Sequence, residues 1–218
     1  MLPLDLTRSL GPRPRILCLG AHPDDIEIGC GGTVLRLREQ IPDAQWDWVV
    51  LTGNEVRHAE ARASAARFLG DGAAKHLRLE SFRDGYLPYE GSQVKDFFES
   101  IKGEIQPDLI LTHYGQDRHQ DHRLVSDLTW NTWRDHLILE YEIPKYDGDL
   151  GQPQAYFPID RDTAEMKIQT ILDVFASQRT KEWFDSDVLH ALMRLRGVEC
   201  NASDRFAEAF YARKWLWV

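Results

Sequence analysis

The 218-residue chain has no apolar run longer than a few residues, so nothing in it reads as a membrane-spanning helix. Its first residues, M-L-P-L-D-L-T-R-S-L-G-P-R-P-R, carry basic groups but no apolar segment behind them, and no secretory signal is expected. Cysteine is scarce. Cys18, Cys30 and Cys200 are odd in number and show no paired spacing, which fits a reducing compartment better than a disulfide framework. A cytoplasmic protein is the expectation, and the N-x-S triplet at Asn201 is then a chance match. Basic residues are also outnumbered, 26 Lys and Arg against 35 Asp and Glu, for a net charge of -9. That balance argues against nucleic acid and anionic membranes as partners. Several catalytic signatures are missing as well. Gly29-Cys30-Gly31-Gly32 lacks the G-x-G-x-x-G spacing of a dinucleotide fold, and there is no phosphate-binding G-x-x-x-x-G-K-[ST] loop. There is neither a G-x-S-x-G nucleophile elbow nor an H-E-x-x-H zinc helix, and S-x-x-K at Ser92 has no companion motifs.

What is present is an alternation. Residues 1–14, with three prolines and a glycine, read as an irregular arm. Ile16 to Leu19 then reads as a buried strand, followed by a helix through Val34, Leu37 and Ile41 that Pro42 stops. Trp46 to Thr52 is a second strand, with an alanine-rich helix from about Val56 to Leu69 and Gly70 as its cap. His76 to Leu79 is a third strand, and Val94, Phe97, Phe98, Ile101 and Ile105 trace one face of the next helix. Asp108 to Thr112 is a fourth strand, with a helix from about Asp121 to Trp133. Four such repeats predict an α/β fold of one domain over residues 1–218: a Rossmann-like, mostly parallel sheet with helices on both faces. Beyond Trp133 the pattern thins. Leu137 to Tyr141 reads as another strand and Tyr156-Phe157 as a further short one, with Pro144 to Pro158 a long surface loop in a loop region spanning about 140–160. Helices are expected through Ile168 to Phe175, from Val188 to a stop at Gly197, and across Phe206, Ala209 and Phe210.

Ligands of such sheets sit beyond the carboxyl ends of the strands. Two polar clusters fall on that edge. After the first strand come His22, Pro23, Asp24 and Asp25; after the fourth comes H-Y-G-Q-D-R-H-Q-D-H, residues 113–122. A catalytic zinc site takes about three His or carboxylate ligands and keeps one position open. His22 and Asp25 are close enough to share an ion, and Asp24 could act on water. His119 and His122, three apart, share a helical face, with Asp121 able to orient a histidine. The plain alternatives are helix capping for Asp24-Asp25 and a solvated polar loop for 113–122. His113 stands between substrate contact and core hydrogen bonding, and Asp117 is similar. Arg57 with Glu60 reads as a surface pair, Glu208 as a solvated helix position, and His58, His76, His136 and His190 as structural. Trp183 and Phe184 are core residues or the lining of a substrate site.

A-H-P-D-D with its downstream glycines, R-x-x-E at Arg57 and Glu60, P-D-L-I-L at Pro107 to Leu111 and H-x-D-H at His119 to His122 resemble the LmbE/PIG-L family of zinc-dependent deacetylases. The resemblance covers roughly residues 15–125, continues weakly through Arg196-Gly197 and Ala207 to Phe210, and has nothing to transfer onto Glu140 to Pro158. It implies hydrolysis of the acetamide of an N-acetylglucosamine-type sugar or its conjugate. It implies one zinc held by His22, Asp25 and His122, Asp24 as general base on the zinc-bound water, and His119, with Asp121 behind it, stabilising the oxyanion. It implies substrate contact by Arg57, and His113 is added as a second candidate from its place at the strand end. Fe(II) also suits His and carboxylate ligands. The competing readings are an amidase for another N-acyl substrate and a non-catalytic zinc-bearing sugar binder. A small amino-sugar substrate is the expected partner, and self-association is left open.

Overall fold

The computed structural model describes residues 3–70 and 76–216. Its centre is a seven-stranded sheet of β1 (Arg15–Gly20), β2 (Gln45–Thr52), β3 (Leu77–Phe82), β4 (Leu109–His113), β5 (Leu137–Tyr141), β6 (Ala155–Ile159) and β7 (Phe206–Tyr211). The strand order is β3-β2-β1-β4-β5-β7-β6. The first five strands are parallel, while β7 runs antiparallel to both β5 and β6. The helices are α1 (Leu6–Leu10), α2 (Asp25–Gln40), α3 (Glu55–Leu69), α4 (Gly91–Glu104), α5 (Gln120–Thr132), α6 (Arg161–Val174) and α7 (Ser186–Glu199). No helix among the described residues is long and apolar enough to cross a membrane.

Alternation along the central strands builds two apolar layers. Ile16, Cys18, Trp48, Val50, Leu109 and Leu111 face a core completed by α2, α3, α6 and α7. Leu17, Leu19, Val49, Leu51 and Ile110 face a second core completed by α4 and α5. Both faces of β1 and β4 are therefore covered, which is why these segments read as continuous apolar runs. From β1 the chain winds one way to β2 and β3, and from β4 the other way to β5. The β1/β4 boundary is thus the point where the winding reverses and a crevice opens.

Several expectations are corrected. Phe206, Ala209 and Phe210 have helical spacing, but the segment is β7, buried at all six positions and hydrogen-bonded on both sides. Six residues covered on both faces carry no period to read. The long loop expected over 140–160 is shorter, since β5 runs to Tyr141 and β6 begins at Ala155. The arm contains α1, capped by Asp5, whose side chain accepts from the Arg8 amide. The third strand, expected from His76 to Leu79, runs from Leu77 to Phe82. Helix α7 passes through Gly197 rather than stopping there. Glycine is needed at 197 because a Cβ would lie 2.2 Å from the backbone of Arg205.

Candidate active site

His22, Asp24 and Asp25 sit on the turn between β1 and α2, and the 113–122 segment links β4 to α5, so the reversal point brings both clusters together. The turn is tight. Asp25 Oδ2 accepts from the His22 amide at 2.7 Å, and Asp24 adopts φ 108°, a left-handed conformation that costs a non-glycine residue about 1–3 kcal/mol. This strained residue separates the two carboxylates. Asp25 turns inward to the histidines, whereas Asp24 Oδ1 accepts from Arg57 Nη2 at 3.1 Å.

Three ligand groups converge. His22 Nδ1 lies 3.2 Å from Asp25 Oδ2 and 3.2 Å from His122 Nε2, and His122 Nε2 lies 3.5 Å from Asp25 Oδ1. Tetrahedral zinc with ligands ~2.0–2.1 Å away sets its ligand atoms about 3.3 Å apart. The other ring nitrogens are committed elsewhere. His122 Nδ1 faces Asp117 Oδ2 at 2.9 Å, while His22 Nε2 faces Asp84 Oδ1 at 3.2 Å and Asp121 Oδ2 at 3.3 Å. Carboxylates there call for N–H donors, so His22 Nδ1 and His122 Nε2 are the nitrogens that could offer lone pairs to an ion. Without an ion the Asp25 carboxylate favours protons on these two nitrogens, and a divalent cation would take their place. The donor set fits the implied metal.

Charges around this point follow from burial. Burial raises the Asp24 pKa to about 6, with Arg57 opposing. Burial opposes charge on His22, yet Asp25, Asp121 and Asp84 outweigh it and hold its pKa well above the ordinary value. The pocket therefore draws positive charge. Burial lifts Asp25 too, but His122, His113 and His22 pull it well below the ordinary carboxylate value. Burial, with His122 and His22 nearby, lowers the His119 pKa. His119 caps α5, its Nδ1 accepting the Asp121 amide at 3.3 Å, so Nε2 carries the proton and can donate without the ring being charged. Asp121 thus meets His119 through its backbone. Its carboxylate instead accepts from the Gly85 and Leu87 amides and reaches His22.

His113 is placed behind the site. It has no exposed surface, and its Nε2 lies 3.0 Å from the Ala21 amide and 3.1 Å from Asp25 Oδ2, which favours core hydrogen bonding over substrate contact. Burial lowers its pKa to about 4. Arg57 is largely buried as well, donating to the Pro23 carbonyl, Asp24 and, at 3.2 Å, Ser177 Oγ. Glu60 accepts from the amide and hydroxyl of Ser177, so the pair fastens α3 to the turn after α6 rather than lying free on the surface. Phe184 belongs to the core and Trp183 packs beside it. His58 is tied to the Glu80 carbonyl and His190 to Glu165.

The glycines after Asp25 also have packing reasons. A Cβ on Gly29 would fall 2.1 Å from the Tyr141 ring, on Gly31 2.7 Å from Phe68, and on Gly32 2.9 Å from Ile159. Helix α2 breaks between them, at Cys30 (φ -144°, ψ 17°). A buried ion pair bridges the break. Glu208 accepts from the Gly32 and Thr33 amides at 2.7 and 2.6 Å, and Lys167 Nζ donates to Glu208 at 2.6 Å and to the Ile28 carbonyl at 2.7 Å. Glu208 is therefore no solvated helix position but a buried strand residue that caps the second half of α2. Sequence reasoning missed Asp84, Lys145, Asp149 and Lys167, because none stands in a motif with its partner.

A family model described as PIG-L: GlcNAc-PI de-N-acetylase matches residues 17–133. An uncharacterized deacetylase of Escherichia coli K12, YaiS, is 35% identical over 151 residues, 64% of this chain and 79% of that protein. Among solved structures, N,N'-diacetylchitobiose deacetylase from Pyrococcus horikoshii superposes with a TM-score of 0.69 at 22% identity, covering 91% of this chain and 83% of that one. GalB, a 4-carboxy-2-hydroxymuconate hydratase from Pseudomonas putida KT2440, does so with a TM-score of 0.72 at 16% identity, covering 94% and 98%. At those identities the two structures share a fold with this chain. The profile, spanning more than half of the residues and both polar clusters, shows that the chain belongs to the PIG-L (LmbE-like) family of deacetylases.

Proposed function

We propose that this chain is a zinc-dependent amidohydrolase that removes the acetyl group from an N-acetylglucosamine-type amino sugar or its conjugate. The observation that carries the reading is the convergence of His22 Nδ1, His122 Nε2 and the Asp25 carboxylate within 3.5 Å of one another. The fold alone would not carry it, since a hydratase shares the architecture. The sugar class rests on the family description. Zinc is favoured by the two imidazoles and one carboxylate, a set that Fe(II) also accepts.

His22, Asp25 and His122 would hold the ion, which supplies polarisation of the amide carbonyl and a more acidic water. Asp24, buried and poised near pH 6, takes the proton of the attacking water. Arg57 fixes the direction of its carboxylate. His119 donates a hydrogen bond from its Nε2–H to the oxygen of the tetrahedral intermediate, a contact typically worth about 3 kcal/mol. The proton that Asp24 took from water then goes to the departing amine, completing hydrolysis to acetate and a free amino sugar. Three free cysteines, two of them buried, support a cytoplasmic setting. The test is acetate release from a panel of N-acetylglucosamine conjugates, with and without a chelator. Stoichiometric zinc with no hydrolysis of any N-acetyl sugar or other amide would overturn the catalytic reading in favour of a binding protein.

A further inference from the structure

The ring of His122 is held from behind by a chain of charges that ends on the loop between β5 and β6. Asp117 is almost fully buried and takes three bonds: His122 Nδ1 at 2.9 Å and Lys145 Nζ at 2.9 Å, both on Oδ2, and the His119 amide at 2.7 Å on Oδ1. Arg123 holds the same turn through the Asp117 carbonyl at 3.0 Å. Lys145 Nζ also donates to Asp149 Oδ2 at 2.7 Å, and that oxygen accepts the Arg118 amide at 2.7 Å. The Lys145 and Asp149 side chains are only 8% and 6% exposed. One ammonium group therefore sits between two buried carboxylates, one on its own loop and one behind His122.

We propose that Lys145 is a positioning residue of the metal site. Acting through Asp117, it fixes the ring of His122 and the backbone of His119, and it couples occupancy of the site to docking of residues 142–154. The inference rests on the metal site of the proposed function. Without the ammonium, Asp117 and Asp149 would face each other as buried like charges, a costly arrangement that is relieved when the loop swings away. Asp117 would then hold His122 alone, in contact with water. Coupling is reciprocal: if docking of the loop strengthens metal binding, metal binding strengthens docking by the same factor. The loop, for which the sequence offers no assignment, would sense whether the site is loaded.

The test is a zinc titration against a chelating dye, a cobalt(II) absorption spectrum, and hydrogen exchange of 142–154 with and without zinc. All three are read on the parent, Lys145→Met and Lys145→Arg. Loss of outer partners of metal-binding histidines costs about 10–100-fold in affinity. Lys145→Met should lower zinc affinity by about tenfold, the low end of that range, because Asp117 itself remains. It should also shift the cobalt bands and abolish the protection that zinc gives to 142–154 in the parent. Lys145→Arg, which keeps the cation, should restore most of the affinity. If Lys145→Met does not fold cooperatively, Lys145→Gln, an uncharged donor, is read in the same way. A parental zinc affinity and cobalt spectrum in the uncharged variant would overturn the role of Lys145 while leaving the metal site intact. A parent that takes up no zinc would overturn the site and this inference together.

Discussion

The stretch from β1 to α5 and the stretch from β5 to β7 contribute to the site in different ways. The first supplies every group proposed to touch metal or reacting atoms: His22, Asp24, Asp25, His119 and His122. The second supplies groups that hold them without touching the chemistry. Lys145 and Asp149 stand behind His122, Lys167 and Glu208 splice α2, and Tyr141 packs on Gly29 while donating to the Leu19 carbonyl at 2.6 Å. These groups sit on short turns at strand ends and in the first turns of the helices that follow, where neighbours in sequence are neighbours in space. The bonds that tie them to the rest of the fold span 28 to 176 residues of sequence. A site of this kind is half local motif and half long-range scaffold, and substitution should tell the halves apart.

The largest effect belongs to the first half. Asp24→Asn keeps the size of the side chain but cannot accept the proton of water. Turnover should fall by about 10²–10⁴-fold. Zinc content should stay at the parental level, since Asp24 bonds to Arg57 and is not one of the three converging ligands. Acetate release paired with metal analysis checks both. Full activity would remove Asp24 from the role of base.

The second half should respond in stability before it responds in rate. Glu208→Gln leaves Lys167 as a buried cation with no counter-charge, and breaking such a pair by removing one partner costs about 3–5 kcal/mol. Urea unfolding measures this directly, and a loss under about 1 kcal/mol would show that the splice in α2 is not held by charge. Pairing Glu208→Gln with Lys167→Met should recover part of the loss, because both charges are then gone.

These two residues also show what was legible in the sequence. The parallel order, the edge carrying the site and the two polar clusters were all readable, because apolar runs and motif spacing are local signals. Glu208 was not. Its six-residue strand is covered on both faces and shows no alternation, and its partner lies on α6. Asp117 was readable only as a polar residue near the strand end. That it holds His122 depends on a turn whose geometry is fixed partly by Lys145 and Asp149. His113 was left between two roles because burial, which decides the matter, is a property of the whole fold.

Glu27 crosses the boundary between the halves, lying within the first motif but wholly enclosed. Burial raises its pKa to about 8 from an ordinary 4.5, so the folded chain keeps a proton there that the unfolded chain releases. A group raised in this way stabilises most fully below pH 4.5, and its contribution declines as pH rises toward 8. The slope can reach about 1.4 kcal/mol per pH unit in that window. Glu27→Gln, neutral throughout, should remove that part of the decline, and urea unfolding of the metal-free chain at pH 5 through 8 should give a flatter profile than the parent. A parallel pair of profiles would show that Glu27 is charged in the folded state.

The smallest change joins the halves by contact alone. Gly29→Ala adds one methyl group 2.1 Å from the Tyr141 ring, and Tyr141 cannot easily retreat while its hydroxyl is bonded to Leu19. Overpacking of this kind costs about 1–3 kcal/mol. Tyr141→Leu trims the ring and frees space, so adding it to Gly29→Ala should give a double variant less destabilised than the sum of the two single losses. Strict additivity in that cycle would mean that the glycine answers to something other than the Tyr141 ring. The remaining candidate would be approach of substrate to the backbone of α2, and it would show in KM rather than in stability.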